Sequence, residues 1–106
     1  MEVLYCDFSK IKDEGMNFVM KRGTSYDKLQ CDEYCHLYDR YNLTFLSAVA
    51  KVHECVVVRF KDIVPVMVFN KDRDHLLKDM MEEHHNFYDT EIVTIIYFTM
   101  HRKYEG

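Results

Sequence analysis

The stretch Tyr26-Asp27-Lys28-Leu29-Gln30-Cys31-Asp32-Glu33-Tyr34-Cys35-His36-Leu37-Tyr38-Asp39-Arg40-Tyr41 decides how this chain is read. Tyr26 and Leu29 are three apart, and Tyr34, Leu37, Tyr38 and Tyr41 recur at spacings of three and four. That is the repeat that gathers side chains on one face of an α-helix. Thr24 and Ser25 stand before it as N-caps, so the spacing predicts a helix over residues 26–41. Cys31 and Cys35 widen its apolar arc, which predicts a helix that is deeply buried or pressed against a second surface.

On the N-terminal side, residues 2–8 alternate, with Leu4, Cys6 and Phe8 opposite Val3 and Tyr5, and predict a first strand. Ser9 can cap a helix over residues 10–22 that stops at Gly23; Gly15 inside it makes a strand over 16–22 the competing reading. On the C-terminal side, residues 52–60 read as a strand, and the Lys61-Asp62 turn leads into a second strand over 63–69, so the two form a hairpin. Asn70 or Asp72 starts a helix with Leu76, Leu77, Met80, His84 and Phe87 on its buried stripe. Residues 90–100 are apolar on both faces and predict a central strand. The expected architecture is α+β: helices packed on a small, mostly antiparallel sheet, in a single domain over residues 1–106.

The composition suits one packed core. Apolar residues make up 48% of the 106, charged residues 30%, and there are three glycines and one proline. The formal charge of −4 gives no general attraction to phosphate backbones or anionic lipid, so nucleic acid and membrane are not the expected partners. No apolar run approaches the ~18 residues of a membrane span, and the first residues lack the basic-then-apolar layout of a signal peptide. The expected location is the cytoplasm, with the cysteines as free thiols.

Several groupings carry chemistry on paper. Cys31, Cys35 and His36 have zinc-ligand chemistry, but on a helix position 36 turns about 100° away from 31 and 35. Asp32, His36 and Asp39 share the polar face of the same helix, and Glu82-x-x-His85 has the spacing of a carboxylate–imidazole ligand pair. Neither supplies a full ligand set by itself, so no metal or cofactor is expected. Cys6 and His53 lie on predicted strands without a nucleophile signature, and the glycines never cluster into a phosphate loop. An RNA-binding sheet would draw on Tyr97, Arg59 and Arg102.

The surplus of tyrosine outlasts these. Eight tyrosines occur, four of them at Tyr26, Tyr34, Tyr38 and Tyr41, and a ring with a wettable hydroxyl suits a protein interface. The expected function is a small non-catalytic module that binds another protein or its own copy, as a homodimer, through these tyrosines and an exposed strand edge. In its methionine- and tyrosine-rich, glycine-poor style the chain resembles the small accessory proteins of viruses and phages, which implies an inhibitor that blocks or redirects a host factor. The alternatives are a metal-dependent hydrolase or nuclease built on Asp32, His36, Asp39, Glu82 and His85, and an RNA-binding regulator.

Overall fold

The computed structural model describes residues 3–24, 32–41 and 46–105. Their order is β1 (Val3–Cys6), β2 (Asn17–Arg22), β3 (Tyr34–Asp39), β4 (Leu46–Arg59), α1 (Arg73–Glu83) and β5 (Ile92–Glu105), with short 3-10 turns at Phe8–Lys10, Phe60–Asp62 and Pro65–Val68. The five strands form one mixed sheet in the order β1-β3-β4-β5-β2; β1 runs parallel to β3 and the other pairs are antiparallel. The expected α+β architecture of helices packed on a sheet is therefore wrong. This is mostly sheet, and α1 is the single α-helix among the described residues.

Two predicted helices account for the error. Within residues 26–41, the described part from Tyr34 to Asp39 is strand: Cys35 and Leu37 are fully buried while Tyr34, His36 and Tyr38 alternate to the other side. Such alternation, with Tyr and Cys favouring a pleated surface, satisfies a period of two as well as it satisfies helical spacing. The structure chooses the strand because β3 pairs with β1 on one side and β4 on the other. Residues 25–31, including Tyr26 and Cys31, lie outside the described residues. Over 10–22 the competing strand reading holds, as β2 against β5. Gly15, at φ +88°, turns the chain just before it, and buried Asn17 clamps that loop by accepting from the Lys12 N–H (2.8 Å) and donating to the Lys12 carbonyl (3.0 Å). The predicted strand over 63–69 is also replaced, by 3-10 turns. Pro65 starts one of them, and Phe69 and Asn70 follow in the left-handed region, so β4 finds its antiparallel partner in β5.

The other elements are present with shifted bounds: the first strand ends at Cys6 and Phe8 lies in a 3-10 turn, the strands read over 52–60 and 90–100 run over Leu46–Arg59 and Ile92–Glu105, and the helix ends at Glu83, so that His84 and Phe87 lie beyond it. Leu4 and Cys6 point inward from β1, and Val3 and Tyr5 outward. Helix α1 begins at Asp72, whose carboxylate accepts from the Asp74 N–H at 3.1 Å, and it buries Leu76 and Met80. β5 is covered on both faces.

Coverage of β5 follows from two cores on opposite sides of the sheet. Leu4, Cys35, Leu37, Ala50, Val52, Ile96 and Phe98 fill the first, with every strand contributing. Phe60, Ile63, Leu76, Met80, Val93 and Ile95 fill the second, between the β5–β2 half of the sheet and α1 with its flanking turns. The sheet also curls. Its two edge strands, β1 and β2, approach each other closely enough for Lys21 Nζ on β2 to donate to the Tyr5 carbonyl on β1 at 2.5 Å. Because α1 covers only the β5–β2 half, the outer face of β1 and β3 is left uncovered by the described elements.

Candidate functional site

Two features of this frame could act on another molecule. The first is the uncovered outer face. Residues that alternate outward from β1, β3 and the far end of β5 meet there because Tyr5 pairs with Tyr38, and Val3 with His36, in the parallel register. The Tyr5 and Tyr38 rings lie 5.9 Å apart, His36 and Tyr38 6.5 Å, and Tyr34 and His101 4.9 Å. Tyr5 and Tyr34 are 46% and 40% exposed. At this border Lys51 faces the Asp32 carboxylate at 3.6 Å, and His53 bonds the Thr99 hydroxyl at 2.8 Å. The face is therefore rich in aromatic rings.

Of the tyrosines singled out by the sequence, Tyr34 and Tyr38 belong to this face. Tyr41 does not: it is 73% exposed beyond the end of β3, with the Arg40 guanidinium 5.3 Å from its ring. Tyr5 was missed, because its neighbour in space is 33 positions away and only the β1–β3 pairing joins them.

The second feature is a cleft of about 200 Å³ where β1 and β2 face each other beneath α1. Lys21 reaches across its floor, and Arg40, at the end of β3, pairs with Glu83 of α1 at 3.2 Å. At the mouth Lys10 pairs with Asp79 at 3.4 Å. Burial holds the Lys21 ammonium below its ordinary pKa, against the Glu83 carboxylate, which favours the charge. Burial also pushes the neighbouring Cys6 thiol up to about 12, far from a reactive thiolate. None of Lys21, Arg40 and Glu83 was legible as a site, since they come from three elements and have no shared motif.

The metal-directed groupings are not assembled. Asp32 lies beside Lys51, His36 on the aromatic face, and Asp39 accepts from the Tyr41 N–H at 3.0 Å, so the three do not share a helical face. Glu82 is on α1 and His85 beyond its end, both exposed. Among the described residues no three His, Cys, Asp or Glu side chains gather closely enough to hold an ion. Of the RNA-directed residues, Tyr97 packs with Phe18 and Phe69 and donates its hydroxyl to the Met67 carbonyl, and Arg59 donates to the Thr90 carbonyl; the Arg102 side chain lies outside what the structure describes. Among the described residues no helix is long and apolar enough to cross a membrane.

Comparison with family models and with curated proteins gives no match. Among solved structures, the chain is similar to the crystal structure of protein EF3133 from Enterococcus faecalis V583, described under the family model DUF984, with a TM-score of 0.55 at 11% identity. The similarity covers 84% of this chain and 65% of that one, so this chain spans less than two thirds of its neighbour's length. At this identity the likeness is one of fold.

Proposed function

We propose that the protein is a non-catalytic binding module that engages another protein, its own copy included, through the outer face of β1 and β3. The observation that carries this reading is the run of ring contacts from Tyr5 through Tyr38 to His36, on a sheet face that no described element covers. Tyrosines supply large contact area with few rotatable bonds and a hydroxyl that can stay wet, and for that reason they are enriched in protein interfaces. The chain's net charge of −4 favours a protein over a polyanion. The reading places the protein in the cytoplasm, where the free thiols of Cys6 and Cys35 persist.

Replacing Tyr34 and Tyr38 together by serine tests it. The variant keeps its stability to within about 1 kcal/mol, the size of a cross-strand pair contribution. Immobilised wild-type protein retains partner chains or further copies of itself, with little change between low and moderate salt, and the variant loses them. Equal retention by both proteins, or retained nucleic acid that salt removes, contradicts the reading.

A further inference from the structure

Lys21 crosses the floor of the cleft under α1, half-buried, and its Nζ donates to the Tyr5 carbonyl at 2.5 Å. That bond fixes the end of a long, flexible side chain. Lys61 and Lys78, in contrast, stand exposed. Cations and carboxylates line the cleft in equal number, four of each, and two pairs close within it: Lys10 with Asp79 at 3.4 Å and Arg40 with Glu83 at 3.2 Å. Such a balance selects neither an anion nor a cation. The walls are apolar: Phe18 and Met20 from β2, Leu76 and Met80 from α1. Of the other amines in the lining, Lys10 is held by Asp79, and Lys71 lies 5.1 Å from the centre of the Phe18 ring. The Cys6 thiol, pushed up to about 12 by burial, stays protonated, so Lys21 is the nucleophile that the floor offers.

We infer that Lys21 captures a small uncharged aldehyde with an apolar body, as an imine, inside this cleft. The nitrogen lone pair of the neutral amine adds to the carbonyl carbon as the C=O π pair moves to oxygen. The resulting carbinolamine then loses that oxygen as water. Overall an ammonium and an aldehyde give a protonated imine and one water, with no oxidant or reductant, and the positive charge stays on the nitrogen. The one N–H left there suffices for the bond to the Tyr5 carbonyl, so the group that positions Lys21 also positions its product. Attack needs the neutral amine, and burial, with the Arg40 charge adding to it, holds Lys21 below its ordinary pKa against the pull of Glu83 and Cys6. A volume of about 200 Å³ is below the ~300–1,000 Å³ typical of sites for drug-sized molecules, so the aldehyde is smaller than those. Its body rests on Phe18, Met20 and Met80. The capture is stoichiometric and does not involve the aromatic face.

Limiting benzaldehyde with sodium cyanoborohydride, which reduces the imine to a stable benzylamine, tests the inference by peptide mapping. In the folded protein Lys21 gains the benzyl group about ten-fold faster than Lys61 and Lys78. Benzyl alcohol slows Lys21 and spares the other two, and unfolding in urea abolishes the preference. Arg40→Gln removes a charge that favours the neutral amine, so it slows Lys21 about three-fold and leaves Lys61 unchanged. The inference is overturned if Lys21 is labelled no faster than the exposed lysines or if the preference survives in urea. It is equally overturned if glyoxylate, a charged aldehyde without an apolar body, shows the same preference for Lys21, or if Arg40→Gln leaves the rate at Lys21 unchanged.

Discussion

At the scale of single residues, the thiols of Cys6 and Cys35 connect burial to a measurable pH dependence. Both lie in the core enclosed by the curled sheet, where burial raises Cys6 to about 12 and Cys35 to about 11, against 9.0 for an ordinary thiol. Between pH 9.0 and these values the unfolded chain releases protons that the folded chain retains, so stability falls as pH rises through that window and is independent of these two groups below it. Lys21, held below its ordinary value, acts in the opposite direction: the unfolded chain keeps the proton longer, so its contribution rises with pH up to 10.5. Urea melts at pH 8, 9 and 10 check the balance. The decline on the alkaline side becomes shallower in Cys6→Ala, and an unchanged slope contradicts the burial of that thiol. The free, core-facing character of these cysteines was legible, because Cys6 sits on an alternating strand. The cleft was not, because Lys21, Arg40 and Glu83 acquire meaning only when three elements converge.

At the scale of elements, the pairing of β1 with β3 carries most of the argument. It converts Tyr34 and Tyr38 from residues on a predicted helix into one side of a sheet, and it brings Tyr5 to them. A cross-strand disulfide reports it directly. Tyr5→Cys with Tyr38→Cys closes on mild oxidation, since the two positions are register partners, whereas Tyr5→Cys with Tyr34→Cys, four residues and about 13 Å along the strand, does not. Peptide mapping of the oxidised proteins distinguishes the two results, and a bridge formed equally in both refutes the register. β1, α1 and β5 were readable because their signals are local: short alternation, an Asp72 cap with a following stripe, and a run apolar on both faces. β2 and β3 carry patterns that fit two periods, and a partner distant in the chain decides between them.

For the whole molecule, the curl of one sheet organises everything. It encloses a core on one side, leaves room for α1 over the β5–β2 half of the other, and brings the β1 and β2 edges together at the cleft. The aromatic face is what the described elements leave uncovered, and the account rests on its being the surface that meets a partner. The most direct test is a photo-crosslinking amino acid in place of Tyr38, compared with the same group in place of Val66, which is exposed on the turn beyond β4. Illumination of producing cells yields protein adducts from position 38 that are absent from position 66, and a Tyr34→Ser change in the same chain reduces them. Nucleic-acid adducts at position 38, or the same adducts from both positions, contradict the account.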